Sequence, residues 1–407
     1  MKKLLIIEKS PSGAIGLKKA KDHGCFVIFI GSDKYHNRIK ENEKKYIDEI
    51  HTVDTNDYNA VIKAVDEIAV RHSIDGVFTF MEFYVELAAI IAERLKLNGI
   101  TPQSATNARN KHKMREIFKR NNLLEPDYAL ISTLDELNTV KNRFKYPNVI
   151  KPINMAGSRG VTKNNTPKDL QDNFNELTAI SPLFGVKKEN SYLIESFIEG
   201  EEFSVESVTF HGVTHVVSIT KKIVSEGKYF VEIGHVSPAI IQEDIRLKVV
   251  DVTSRGLAAL GIDNAVSHTE IKIKDSSVFI VEIAARLGGG HIPELVMRSS
   301  GVDLWQCAIS IALNEEPKIV SSFNKYAGIA FITADEGVFS SFELKKIDEK
   351  ICIDEIHADM KPGDFVHSLT CASDRLGYII MTGIDYKLVY EYCSNPEKLY
   401  HIKTLNS

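Results

Sequence analysis

The sequence predicts a mixed α/β and α+β chain with more than one domain, and three observations carry that prediction. The first hundred residues alternate buried apolar runs with stretches of helical period, the mark of a parallel sheet covered by helices. From Val149 to Ile219 the pattern changes to short strands around glycine-rich loops. Around Asp275, two stretches of alternating apolar residues flank a short polar turn, which is antiparallel hairpin chemistry. At 407 residues the chain has room for two or three cores.

Taken in order, Lys3–Ile7 and Cys25–Ile30 read as buried strands and Asn59–His72 as a helix. A further strand is expected at Asp75–Phe80 and a helix at Phe83–Leu95. Between the first strand and helix, Ser10–Gly16 lacks the Gly-x-Gly-x-x-Gly spacing, so a dinucleotide-binding reading has no fingerprint. Asn107–Asn121 reads as one basic helix, and Pro126 marks the passage into a second unit. Gln242–Leu260 is a helix that Gly261 stops. Helices then continue through Leu313, and strands follow at Tyr326–Thr333, Gly363–Leu369 and Leu376–Thr382. The expected domain ranges are 1–108, 109–205, 206–320 and 321–407.

Composition narrows the function. Hydrophobic residues at 43%, charged residues at 26% and a net charge of −5 describe a globular protein with no general affinity for nucleic acid or anionic membrane. No run approaches the roughly 20 apolar residues that span a bilayer. The apolar run after Lys2 and Lys3 is too short for a signal peptide. The five cysteines are scattered, without a Cys-x-x-Cys pair, as expected of free thiols in the reducing cytoplasm.

The chemistry concentrates in one hairpin. If Asp275-Ser276-Ser277 is its loop, Glu270 faces Glu282 across the two strands, with Cβ atoms about 5 Å apart. Two carboxylates that close call for a cation between them, and Mg²⁺ shared with phosphate oxygens answers that need. Arg286 follows four residues later as a candidate for gripping phosphate. Upstream, Lys151 sits at a strand end before a loop in which Gly157, Ser158 and Gly160 let backbone N–H groups converge on anionic oxygens. It is not a Walker loop. Then Tyr192–Glu206 runs from an apolar strand into Glu195, the hinge Phe197-Ile198 and Glu202, which suits a purine and a ribose.

These motifs, in this order, resemble an ATP-grasp ligase of the carboxylate–amine (L-amino acid) ligase branch. The resemblance implies an ATP-grasp architecture: a Rossmann-like N-terminal domain, a small ATP-binding lobe, a large antiparallel-sheet lobe and a C-terminal substrate lobe. Phe80–Glu86 is similar to the family's acidic loop, with Glu82 a candidate for the incoming amine. Arg109–Arg115 resembles its basic helix, with Lys113 ahead of Lys111 as the match for the nucleotide-contacting lysine. Glu195, Phe197, Ile198 and Glu202 would hold adenine and ribose, Lys151 and Ser158 the phosphates, and Glu270 and Glu282 the metal. Tyr229–Pro238 resembles a strand lining the amino-acid pocket. There Glu232 would grip an ammonium, and His235 would bind a carboxylate or act as a base. Gly288 and Gly289 offer main-chain donors, His291 is a further substrate candidate, and Gly290 leaves side-chain space.

The reaction implied is phosphorylation of a carboxylate by ATP, followed by attack of an amine on the acyl phosphate. Arg286 and Lys151 would neutralise the transferring group. The implied cofactors are ATP and Mg²⁺, with Mn²⁺ an alternative. The implied partners are a small carboxylate and an amine, amino acids foremost, and a second copy of the chain in a homodimer. One departure stands out. Many ATP-grasp enzymes carry asparagine two residues after the second metal carboxylate, and here that residue is Ala284, which leaves one or two metal ions open. Alternatives within the fold are a carboxylase or a ligase of a non-amino-acid carboxylate; outside enzymology, an inactive ATP-binding regulator.

Overall fold

The computed structural model of the chain describes residues 1–9, 14–34, 39–181 and 183–405. Ser10–Gly13, which open the expected first turn, lie outside the described residues. Four strands, β1 (Lys3–Ile7), β2 (Phe26–Gly31), β3 (Glu49–Thr52) and β4 (Gly76–Thr79), form a parallel sheet in the order β3-β2-β1-β4. Helices α1 (Ile15–Asp22) and α2 (Tyr58–Arg71) lie between its strands, and α3 (Val85–Arg94) follows. Both faces of the sheet are covered, as parallel sheets require. Leu5, Ile7, Ile28 and Ile30 share a core with residues of α2 and α3, whereas Leu4, Ile6, Val27 and Phe29 share one with the later helix Leu304–Ala312. The edge strand β3 has no apolar run, which is why the sequence reading passed over it.

The helix expected over Asn107–Asn121 is in fact two. Asn110 takes an extended backbone (φ −101°, ψ 106°), and its side chain accepts from the N–H groups of His112 and Lys113. It thereby ends α4 (Pro102–Arg109) and caps α5 (Lys111–Arg120). That break decides which lysine reaches the site.

A small antiparallel sheet follows, built from β5 (Tyr128–Ile131), β6 (Asn148–Pro152), β7 (Thr162–Asn164) and β8 (Tyr192–Ser196) in the order β5-β8-β6-β7. Its helices, α6 (Leu134–Val140) and α7 (Pro167–Ala179), each open with a capping box, at Thr133/Glu136 and Thr166/Asp169.

The remainder is organised by one eight-stranded sheet. It takes β9 (Glu201–Phe210), β10 (Val213–Val224) and β11 (Glu232–Ser237), then α8 (Glu243–Leu260), then β12 (Ala265–Lys274) and β13 (Ser277–Ala284). Helix α8 stops where expected, at Gly261, whose φ of 77° is the left-handed cap that glycine adopts without penalty. Helices α9 (Ile292–Ser300) and α10 (Leu304–Ala312) lead to β14 (Tyr326–Ile332). The chain then gives β15 (Gly337–Leu344), β16 (Ile351–Ala358), β17 (Phe365–Val366), β18 (Gly377–Gly383), α11 (Tyr386–Ser394) and β19 (Tyr400–Leu405). The large sheet runs β13-β12-β9-β10-β11-β14-β18-β16, and β17-β15-β19 form a separate small one. The expected division at 320/321 therefore falls within the span of a continuous sheet, and the one at 205/206 cuts β9. Among the described residues no helix is long and apolar enough to cross a membrane.

Candidate active site

Period-two alternation builds the site. On β9, β10 and β12 one set of residues, Phe203, Val205, Ile219 and Ile271 among them, shares a core with residues of α8. The intervening residues, Glu202-Ser204-Glu206, Ser218-Thr220-Lys222 and His268-Glu270-Lys272, fall on the opposite face, in register across the strands. That polar face meets the small sheet, and a cavity opens between them, lined by residues that include Lys151, Ser158, Glu195, Glu202, Glu270 and Glu282.

Glu270 and Glu282 are direct cross-strand partners, as expected, but not through the loop expected. Lys274 pairs with Ser277, so the turn holds only Asp275 and Ser276, both at positive φ (48° and 62°). A two-residue turn alone would set Glu270 opposite Val281. A bulge restores the pairing: Ile271 faces Ile280 while Glu270 faces Glu282, leaving Val281 as the extra residue. Arg115, 1% exposed, fixes the bulge by donating to the carbonyls of Ile280 (3.0 Å) and Val281 (2.7 Å).

Each carboxylate meets a lysine through one oxygen, Glu270 with Lys222 at 2.8 Å and Glu282 with Lys111 at 3.0 Å. The second oxygen of each has no protein partner among the described residues. No group of three or more His, Cys, Asp or Glu side chains gathers as a metal site among the described residues. Ala284, buried at the cavity wall, adds no ligand. Two hard oxygen donors on adjacent strands fit a Mg²⁺ ion that takes its other ligands from phosphate and water.

On the nucleotide side, Lys151 contacts Glu195 at 2.6 Å, and the other oxygen of Glu195 accepts from Arg115 at 2.7 Å. Burial would raise the Glu195 carboxyl, but Arg115 and Lys151 outweigh it and hold it at about 2. Burial pulls the Lys151 ammonium down, with Glu195 opposing. The loop after Lys151 turns through positive φ at Gly157 (69°), Ser158 (57°) and Gly160 (76°). Phe197, Ile198 and Glu202 line the cavity. The ring of Phe197 stacks on Phe230 at 5.9 Å, and the carbonyl of Ile198 accepts from Lys272 at 3.2 Å. Lys113 is a correction: it does not line the cavity, and Lys111 does. As the first residue of α5, Lys111 shares a face with Arg115 one turn on, and its ammonium donates to Met155 (2.8 Å) and Glu282.

Glu82 is a second correction. Its two oxygens are taken by guanidinia, from Arg109 at 2.9 Å and Arg286 at 2.6 Å. Burial opposes its charge, yet Arg286 and Arg109 keep it ionised, at about 2. It is held between the two guanidinia and does not line the cavity where an amine would enter. Arg286 itself lines the cavity.

Lys222, which the sequence reading missed, lies 2% exposed between Glu202 (3.1 Å), Glu232 (2.8 Å) and Glu270 (2.8 Å). Glu232 stays ionised at about 2: burial would raise it, and the Lys222 ammonium above all overcomes that. His235 is fully enclosed, 3.7 Å from Glu232, with neither ring nitrogen hydrogen-bonded. Burial lowers it to about 4, so it is neutral at pH 7, and it does not line the cavity, which corrects its expected role as a carboxylate-binding residue or base. His268, also missed, joins Glu206 at 2.7 Å and approaches Glu270 at 3.5 Å. Burial lowers it, but Glu206 and Glu270 raise it to about 9.

Of the glycine run, Gly288 lies against this pair: a Cβ there would fall 2.9 Å from His268 and 3.0 Å from Glu206. Gly289 is exposed with open space around it, and neither glycine lines the cavity. Gly290 leaves no room, since a Cβ would sit 2.7 Å from His235. His291 packs its ring on Tyr378 at 4.1 Å and does not line the cavity.

Residues 144–294 match the ATP-grasp domain family, and residues 17–99 match the ATP-grasp N-terminal domain. Together these matches cover more than half of the chain. The chain belongs to the ATP-grasp superfamily. Among solved structures, this ATP-grasp protein is similar to an L-amino acid ligase from Bacillus licheniformis, with a TM-score of 0.83 and 25% identity over 100% of this chain and 99% of that one. Among curated proteins it is 28% identical to an alanine–anticapsin ligase of Bacillus subtilis, over 62% of this chain and 56% of the relative. It is 22% identical to an L-arginine-specific L-amino acid ligase of Bacillus subtilis, over 88% and 85%. The chain spans 56–62% of the length of the alanine–anticapsin ligases it matches.

Proposed function

We propose that this ATP-grasp protein joins the carboxylate of one small acid, an L-amino acid foremost, to an amine, with conversion of ATP to ADP and phosphate. The observation that carries the reading is the bulge-set pairing of Glu270 with Glu282 on the wall of a cavity that also holds Lys151 and Arg286. Its similarity to amino-acid ligases supports the same reaction class.

In this reading the substrate carboxylate attacks the γ-phosphorus, ADP leaves, and the amine then displaces phosphate from the acyl carbon. The chain contributes position and charge rather than a covalent group. Mg²⁺, held by Glu270 and Glu282, would neutralise phosphate oxygens as charge develops, and Mn²⁺ would suit the same oxygen donors. Lys151 and Lys111 approach the phosphates from the small-sheet side. Arg286, clamped by Glu82, faces the transferring group. Phe197, Ile198 and Glu202 hold adenine and ribose. Glu232 anchors the ammonium of the acid substrate, and the enclosed His235 ring packs behind it. A homodimer belongs to this reading through the family resemblance alone.

The test is phosphate release from Mg-ATP with purified protein, screened over L-amino acids singly and in pairs. A ligase gives release that depends on a pair, and a product whose mass equals both acids minus water. ATP binding without release across amino acids and other carboxylates would defeat the proposal.

A further inference from the structure

Joining two amino acids leaves two charges outside the chemistry, the ammonium of the acid substrate and the carboxylate of the amine substrate. In an enclosed site each needs a partner, because an unpaired buried charge is strongly unfavourable. Glu232 answers the first. His235 and His291 do not answer the second, since burial lowers both to about 4 and leaves them neutral.

Arg375 lies beside them. One guanidinium nitrogen is 3.8 Å from a carboxylate oxygen of Glu232 and 3.5 Å from its carbonyl, and Nε donates to Ala372 at 2.8 Å. The guanidinium lies over the ring of Phe331, 3.8 Å from its centroid, while His235 meets the same ring edge-on at 5.6 Å. Stacking on a buried ring fixes the plane of the guanidinium, which then offers a rigid fork matched to a carboxylate. The loop that carries it is itself ordered. Asp374 accepts from Thr370 N (2.8 Å), Thr370 Oγ1 (2.7 Å) and Cys371 N (2.9 Å). At 3.8 Å the contact with Glu232 is a loose ion pair, so the fork keeps donors for another anion. No step proposed above uses Arg375.

We propose that Arg375 receives the α-carboxylate of the amine substrate, so that the second substrate is itself an amino acid and not a simple amine. This rests on the ligase reading above. Glu232 and Arg375, side by side, then bracket a dipeptide with its free ammonium on one and its free carboxylate on the other.

The experiment compares three nucleophiles at saturating ATP, Mg²⁺ and acid substrate: the amino acid chosen by the pairwise screen, its carboxamide, and hydroxylamine. Hydroxylamine attacks the acyl carbon through nitrogen, expels phosphate and leaves a hydroxamate that is read as its coloured iron(III) complex, with no carboxylate to be recognised. In the unmodified enzyme kcat/KM should favour the free amino acid over its amide by at least about tenfold. Both Arg375→Gln and Arg375→Lys, the latter keeping the charge without the fork, should erase that preference. KM for the acid substrate should move by less than about twofold. Equal loss for acid and amine substrates would make Arg375 a support for Glu232 and overturn the proposal, as would an unmodified enzyme indifferent to the amide. Hydroxamate formed normally while the amide preference is absent would overturn this inference and spare the ligase. No hydroxamate with any acid would defeat both.

Discussion

Replacing Lys222 with methionine keeps most of the side-chain volume and removes the one ammonium held jointly by Glu202, Glu232 and Glu270. Lys222 is buried, and its three N···O contacts run from 2.8 to 3.1 Å. A single pair near 4 Å at an effective dielectric of about 20 is worth roughly 4 kcal/mol before desolvation. Desolvation of the lysine offsets much of that sum, and removing one partner of a buried pair costs about 3–5 kcal/mol net. We expect Lys222→Met to lose that much stability, read from urea unfolding through the fluorescence of the chain's one tryptophan, Trp305. Trp305 is buried in the core that joins β1 and β2 to α10. Millimolar Mg²⁺ should recover most of the loss in the variant and add little to the unmodified protein, because the freed carboxylates then bind the cation. A loss below about 1 kcal/mol, or a loss indifferent to Mg²⁺, would refute the reasoning.

Glu282→Ala should lower ATP turnover by at least about 100-fold while leaving the circular dichroism spectrum unchanged, since it removes a metal oxygen from a partly buried strand position at the cavity wall. Near-normal ADP release at saturating Mg²⁺ would remove Glu282 from the metal site. Glu82→Gln should reduce kcat by about 10–100-fold with little change in KM for ATP, because it frees Arg286 and does not touch the nucleotide cavity; a change confined to KM for ATP would contradict that role. His268 predicts a pH dependence. Its folded value, about 9, exceeds the ordinary 6.5, so its stabilising effect is complete below pH 6.5 and fades as pH rises through 9. Metal-free protein should lose about 3 kcal/mol across that window, and His268→Gln should flatten the profile.

Residues whose chemistry is local were legible from sequence. Gly261 stops α8 because only the left-handed cap fits there, and the apolar runs of β1 and β2 announce a covered parallel sheet. Glu270 and Glu282 were paired correctly for an incomplete reason: a three-residue loop and a two-residue turn plus a bulge give the same register. The bulge depends on Arg115, 165 residues away in sequence from Ile280, and no local pattern signals it. From sequence, Lys113 stands ahead of Lys111 only as the closer match to the basic helix that Arg109–Arg115 resembles. The cap at Asn110 moves the helix start, and the i, i+4 relation of Lys111 and Arg115 was the available sign. His268 is legible in principle, since it alternates with Glu270 on β12, whereas the strand of Lys222 carries no acid and its three carboxylate partners come from other strands. Glu82 reads as a candidate for the incoming amine because nothing local signals that Arg109 and Arg286, from distant segments, engage both its oxygens.

The central claim is that the carboxylate oxygen itself attacks phosphorus. With the acid substrate labelled with ¹⁸O in its carboxylate, the account predicts one labelled oxygen in the phosphate released for each amide formed, with ADP as the nucleotide product. Unlabelled phosphate, or AMP and pyrophosphate in place of ADP, would contradict it.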